Sequence, residues 1–325
     1  MILVTGAAGF IGSVVVAGLN EEGEDDLLLA DHLGTSTKWR NLLGKRFREY
    51  VDHAALLERI DRGDFARTKI EAVVHIGART DTTEPDADLL LRLNYHYSQR
   101  LCRFALQKGA RFVYASSAAV YGDGSLGFSD DDALTPKLRP LNAYGLSKWL
   151  FDCWVLREKL ASKVVGLRFF NVYGPNEYHK GRMASVVWHA YPLAKEEGCV
   201  RLFASDRRDV GDGEQKRDFV YVKDASAVVR HFVRKKTGGG IFNVGSGRAR
   251  TFRDLGAALL RACGRSADGI QYVAMPDDLK GRYQYFTEAD LSRLRASGFK
   301  AKTTSIEDGV TEYVKGHLGR PDPYL

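Results

Sequence analysis

A glycine-spaced turn near the start of the chain constrains the fold more than any other feature. Gly6, Gly9 and Gly12 follow the apolar run Ile2-Leu3-Val4-Thr5 with the spacing G-x-x-G-x-x-G, and residues 13–20 continue as an apolar-periodic stretch. A buried strand turning sharply into a helix is the opening unit of a doubly wound parallel sheet. Gly6 and Gly9 let the backbone turn and approach a pyrophosphate, while Gly12 allows the helix to pack close to the strand. The helix N-terminus contributes unpaired N–H groups and a positive dipole end. Together these predict a dinucleotide site. A second apolar run, 27–30, ends in Asp31. An acid there accepts adenosine ribose hydroxyls and favours NAD. Lys38, a few residues on, offers a charge to a 2′-phosphate and leaves NADP open.

Residues 71–77 read as the third parallel strand with its C-terminal turn and 111–115 as the fourth strand, with helix over 86–108 between them. In such sheets ligands sit outside the carboxyl ends of the strands, so Gly77 and Ala78 are expected beside a cofactor. His75 reads as a packed strand histidine. Further on, Tyr144 and Lys148 are spaced i, i+4 in Asn-Ala-Tyr-Gly-Leu-Ser-Lys, which puts both on one helix face. A phenol with a pKa near ~10 is a poor base at neutral pH. An ammonium one turn away is expected to favour the phenolate and lower that value. The pair then suits removal of a proton from an alcohol while hydride leaves the same carbon.

A chain of 325 residues holds one large α/β unit, or a large domain with a smaller companion. Its net charge of +7 suits an acidic partner. It has no uninterrupted basic run, which favours a nucleotide-sized anion over nucleic acid or a membrane surface. Cys102, Cys153, Cys199 and Cys263 show neither metal nor redox spacing and read as reduced thiols, so no metal is expected. No apolar run approaches the ~20 residues of a membrane helix. Met1 leads straight into a strand, without a signal peptide. The expectation is a cytoplasmic protein.

Three pieces resemble the extended short-chain dehydrogenase/reductase family: the glycine turn at 6–12, Ser-Ser-Ala-Ala-Val-Tyr-Gly at 116–122, and Tyr144-x-x-x-Lys148. The resemblance implies an α/β fold, a Rossmann-type doubly wound parallel sheet with a smaller α/β substrate domain. It implies that Ser117 hydrogen-bonds the reacting hydroxyl and that Lys148 also binds the nicotinamide ribose. Dehydratases of the family carry an Asp-Glu pair after the catalytic hydroxyl residue. Ala118 and Ala119 stand there instead and can transfer no proton, which leaves oxidation followed by re-reduction.

The second half narrows the resemblance. Asn171-Val-Tyr-Gly-Pro, His179-Lys-Gly-Arg-Met-Ala-Ser, Lys216-Arg-Asp-Phe-Val-Tyr-Val and Leu279-Lys-Gly-Arg-Tyr-Gln are similar to the branch of the family that epimerises ADP-heptose at C6″ for lipopolysaccharide precursors. An epimerase returns hydride to the opposite face, so it needs proton transfer on two sides; Tyr144 serves one, and Lys180 is placed to serve the other. A role for Lys180 as a phosphate partner stays open. Arg217 is expected on the diphosphate, since guanidinium pairs phosphate bidentately; the alternative is an ion pair with Asp218 or Asp224.

By resemblance the cofactor, NADP with NAD possible, is held by Phe10, Ile11, His32, His53, Ile76, Asn94 and Val172 besides the residues above. The sugar nucleotide is held by Ser117, Asn171, Arg182, His189, Phe203, Ser205, Arg217 and Tyr283. His53, Arg79-Thr80 and Arg182 depart from the family pattern. The implied division is an NADP-binding unit over 1–172 with 218–245, and a substrate unit over 173–217 and 246–325. A homo-oligomer, specifically a homopentamer, is implied as well. The polar segment 205–215 reads as a surface loop. Two rival readings are a 4-epimerase of another nucleotide sugar and a non-catalytic NADP-binding sensor.

Overall fold

A computed structural model describes residues 1–235, 237–276 and 284–325. In chain order the strands are β1 Ile2–Thr5, β2 Leu27–Asp31, β3 Glu49–Asp52, β4 Ala72–His75, β5 Arg111–Ser117 and β6 Val164–Phe169. They continue as β7 Asn171–Tyr173, β8 Val200–Phe203, β9 Lys216–Tyr221, β10 Gly240–Val244, β11 Ala249–Thr251 and β12 Ile270–Val273. The α-helices are α1 Phe10–Glu21, α2 His53–Asp61, α3 Ala87–Leu90, α4 Tyr97–Gln107 and α5 Ala143–Arg157. After them come α6 Val186–Glu197, α7 Val222–Arg234, α8 Phe252–Ala262, α9 Ser292–Ala296 and α10 Ile306–Tyr313.

Seven strands form one sheet in the order β10-β6-β5-β4-β1-β2-β3. Every neighbouring pair in it is parallel. The chain winds outward in both directions from β1, so the switch point lies between β1 and β4, where an open α/β sheet binds its ligand. Alternate strand residues face opposite sides of the sheet. Val4, Leu29, Val74 and Val113 enter one core with Val15 and Leu19 of α1 and Val228 and Phe232 of α7. Their neighbours Leu3, Leu28, Val73 and Phe112 enter the other with Leu101 and Phe104 of α4 and Trp154 of α5. The doubly wound parallel sheet expected from the glycine turn is therefore the observed architecture.

A smaller α/β layer covers the carboxyl ends of these strands. β9 sits centrally in a three-stranded sheet, parallel to β7 and antiparallel to β11, and β8 pairs in parallel with β12. α6, α8 and α10 pack with Tyr173, Leu202 and Tyr221 into a third core. Leu294 of α9 and Phe299, late in the chain, pack into the large sheet's core.

The structure corrects some expected elements. The runs at 71–77 and 111–115 form the fourth and fifth strands, because β3 precedes them. Glu-Tyr-Val-Asp is an edge strand whose only buried residue is Val51, so it carries no apolar run to read. β4 ends at His75, with Gly77 in the turn expected after it. The helix over 86–108 is interrupted by a π-helical turn, Leu91–His96, which carries Asn94.

Candidate active site

The glycine turn is tight for a reason that can be measured. Gly6 adopts φ +68, and a Cβ there would lie 2.5 Å from the Gly77 amide nitrogen. A Cβ on Gly12 would lie 2.0 Å from the Gly6 carbonyl oxygen. Gly9 caps α1 with no side-chain hydrogen bond, and no acid occupies the first turn. The helix thus presents bare N–H groups and an unopposed dipole, which fits a dinucleotide diphosphate. Phe10 and Ile11, the first residues of α1, line the cleft above it, with Ile76, Ala78 and Val172.

At the carboxyl end of β2 Asp31 is nearly buried. Its carboxylate accepts from the Ala8 amide (2.8 Å), the His32 amide (2.7 Å) and Lys38 Nζ (2.5 Å). Asp31 therefore braces the glycine turn, and Lys38 neutralises it. His53 stands beside His32, ring centroids 5.4 Å apart. Sequence reading did not anticipate that His32, Asp52 and His53 would bring their ligating atoms within 4.8 Å of one another. Asn94 does not reach the cleft. It is fully buried, accepts from the Arg79 amide (2.8 Å) and donates to the Arg79 carbonyl (2.9 Å) and Ser147 Oγ (3.0 Å). It fixes the loop after β4 from beneath. His75 is packed as expected, its ring between Thr5 Oγ1 and Ser98 Oγ at 2.6 and 2.7 Å.

A cleft of about 1070 Å³ runs from this turn to the smaller layer. Ser117, Tyr144 and Lys148 all line it. Ser117 ends β5, with its hydroxyl accepting from the Ala119 amide at 3.2 Å. α5 begins at Asn142, whose side chain accepts from the Gly145 amide at 2.8 Å; this seats Tyr144 in the first turn. Lys148 Nζ donates to the Ala115 carbonyl at 3.0 Å. Burial lowers the lysine to about 8, and Asp152 one turn on opposes that shift. The phenol departs from expectation: burial raises the pKa of Tyr144, and what works against the rise is a hydrogen bond with Ser117. Desolvation of the phenolate dominates, and the Lys148 ammonium points at Ala115 instead.

The other wall is the loop between β7 and α6. Lys180 lines the cleft, with Nζ 5.2 Å from the centroid of the Phe10 ring. Burial lowers its pKa, partly offset by Glu177. The loop's shape is set by two fully buried residues. Glu177 accepts from the Ser185 amide (2.6 Å), Ser185 Oγ (2.7 Å) and the Gly174 amide (3.3 Å). Asn176, at φ +76, donates to Ser13 Oγ of α1 (2.9 Å) and accepts at its carbonyl from Asn41 (3.0 Å). Asn41 also donates to the Ala8 carbonyl at 2.9 Å, so the Lys180 loop is fastened to the glycine turn.

Asn171, Arg182, His189, Phe203 and Arg217 also line the cleft. Arg217 is buried and lies over Phe252, 5.9 Å from its ring centroid. Asp218 serves Ser246, Gly247 and Ala289, and Asp224 serves Thr304. Ser205 is not among the cleft residues; its hydroxyl donates to the Arg207 carbonyl at 3.0 Å and holds the 205–215 loop's own turn. Tyr283 lies outside the described residues. Thr80, Thr82, Met183, Arg201, Phe252 and Gln284 line the cleft without having been assigned a role from the sequence, although Met183 and Gln284 sit in motifs that carry the family resemblance.

Residues 2–245 match the NAD dependent epimerase/dehydratase family. The chain is 50% identical over 325 residues to the ADP-L-glycero-D-manno-heptose-6-epimerase of Nitratidesulfovibrio vulgaris strain DP4, covering 100% of both. It is 45% identical over 335 residues to the enzyme of that name from Fusobacterium nucleatum, again with 100% of each covered. The crystal structure of the Helicobacter pylori ADP-L-glycero-D-manno-heptose-6-epimerase superposes with a TM-score of 0.80 at 28% identity, covering 97% of this chain and 95% of that one. With the parallel sheet, the glycine turn and the cleft in agreement, this chain belongs to the NAD dependent epimerase/dehydratase family.

Proposed function

We propose that this chain epimerises C6″ of ADP-D-glycero-D-manno-heptose to the L-glycero isomer, through transient oxidation to a 6″-ketone. The reading rests on one observation above all: Tyr144 and Lys180, two proton-transfer groups from different walls, line a single cleft. Ala118 and Ala119 offer no acid or base for eliminating water. A nicotinamide cofactor, when bound, takes up hydride from the sugar carbon and returns it. Gly6, Gly9, Gly12 and the N-terminus of α1 hold its diphosphate. Lys148 keeps an ammonium beside the ribose, and Ser117 is the group that eases ionisation of Tyr144.

Tyr144 and Lys180 hold and accept the hydroxyl proton on the two faces, and Ser117 steadies the oxygen. Lys180 suits a base because burial weakens its hold on the proton. Arg217 and Arg182 meet the diphosphate and sugar, and His189, Asn171 and Phe203 complete that wall. We infer NADP as the cofactor, because Lys38 already neutralises Asp31 and lies where a 2′-phosphate would be met. The assembly we infer is a cytoplasmic homo-oligomer supplying lipopolysaccharide heptose. Among the described residues no helix is long and apolar enough to cross a membrane.

The test is proton NMR of ADP-D-glycero-D-manno-heptose incubated with the purified protein. Appearance of the L-glycero isomer supports the reading. Turnover of UDP-glucose alone would point to a 4-epimerase. Cofactor binding with no sugar turned over would point to a sensor.

A further inference from the structure

A carboxylate beneath the cleft, unused in the chemistry above, links α5 to β5 and β6. Asp152 and Arg168 are 0% exposed, and Arg168 Nε donates to Asp152 Oδ2 at 2.9 Å. Asp152 lies on α5, one turn beyond Lys148. Its Oδ2 also accepts from Ser116 Oγ at 2.9 Å, the residue before Ser117, and its Oδ1 from Tyr114 of β5 at 3.0 Å. Arg168 stands on β6, three residues before Asn171. It donates on to Tyr121 (3.0 Å) and Thr135 Oγ1 (2.8 Å). One ion pair thus ties the helix of Tyr144 and Lys148 to the strand of Ser117 and to the strand leading to Asn171. Replacing such a pair by apolar packing is often neutral for stability, so stability alone gives no reason to bury it.

We propose that Asp152 and Arg168 are the positioning pair of this active site, fixing the strand end of Ser117 against the helix that carries Tyr144 and Lys148. This rests on the reading that Ser117, Tyr144 and Lys148 carry the chemistry. The groups facing Lys148 are few. His75 on β4 is held neutral, since burial and Lys148 lower it to about 3. Tyr144 shares its helix, and Tyr114 and Arg168 lie behind Asp152. Asp152 is the group that raises the lysine against its burial.

The experiment follows Lys148 by lysine ¹³Cε NMR, assigned through Lys148→Met, alongside the pH profile of kcat. In Asp152→Asn the titration of Lys148 and the basic limb of kcat both move down by about one pH unit, with KM unchanged. An unmoved titration, with activity lost only in step with the folded fraction, overturns the proposal. Ser116→Ala and Tyr114→Phe each remove one strap and keep the ion pair, so they test the geometry even if Asp152→Asn does not fold. Each lowers kcat about tenfold at unchanged KM; wild-type kcat in both overturns the positioning role. The NMR titration needs no turnover, so an error in the assigned sugar cannot be mistaken for a failure of this pair.

Discussion

The two walls of the cleft present proton-transfer groups in contrasting ways. Tyr144 and Lys148 stand on α5, a regular helix whose floor is the parallel sheet, with Asp152 and Arg168 buried beneath it. Lys180 stands on a loop held by Glu177 and Asn176, which reach a following helix cap and the dinucleotide turn. Burial shifts both groups away from charge, raising the phenol and lowering the ammonium. At the first wall the sheet sets the geometry; at the second, a few buried hydrogen bonds do. A regular scaffold makes the first wall tolerant of change at its edges, while the second depends on single side chains.

The largest expected effect comes from removing the proton carriers. Tyr144→Phe keeps the ring and removes the hydroxyl, so kcat falls by about 10²–10⁴ with little change in KM. Lys180→Met keeps the packing over Phe10 and removes the amine. If the walls share the proton work, kcat falls by about 10² or more. A raised KM at full kcat would make Lys180 a binding group and break the symmetry between the walls. Steady-state kinetics in both directions decides.

The next effect separates the walls by stability. Burial holds Lys148 at about 8, below its ordinary 10.5. Between those values the unfolded chain binds the proton and the folded chain does not, so this group's contribution to stability rises with pH through that window. Lys148→Met removes a penalty of roughly 3 kcal/mol below pH 8, less about 1 kcal/mol for the lost hydrogen bond to Ala115. The variant is therefore more stable than wild type at pH 7, inactive, and loses its advantage as pH approaches 10.5. Urea melts at several pH values check this. A variant less stable at every pH would mean that Lys148 is no burden on the first wall.

What the sequence made legible follows the same division. The glycine turn and Tyr144 with Lys148 are set by neighbours a few residues away, so spacing reveals them, whereas Ser117 was legible only through a family resemblance. The seven-stranded sheet was legible because its inner strands are continuous apolar runs, and β3 was missed because an edge strand needs none. Asn94 carries no local sign that its amide is spent on Arg79 and Ser147. The supports of Lys180 come from Ser13 and Asn41, distant in the chain, and no periodicity marks them. The rise in the Tyr144 pKa was misjudged for a related reason. Spacing supplies the ammonium, but only the packed structure supplies the burial that raises the phenol.

The smallest effects compare the caps that start the two walls. Asn142 caps α5 by accepting from Gly145, and Ser185 caps α6 by accepting from Trp188 at 3.3 Å. Losing either cap alone costs about 1 kcal/mol. The Ser185 hydroxyl also donates to buried Glu177, the residue that shapes the Lys180 loop. Ser185→Ala therefore strips a donor from the buried Glu177 carboxylate, adding about 1–3 kcal/mol. Asn142→Ala should lower stability by the cap alone and leave kcat within about twofold, because the sheet still holds α5. Ser185→Ala should lose more stability and lower kcat by about tenfold, since the Lys180 loop shifts with Glu177. Thermal melts and turnover measured on both variants decide the matter. Equal losses would show that the loop wall is as well scaffolded as the helix wall.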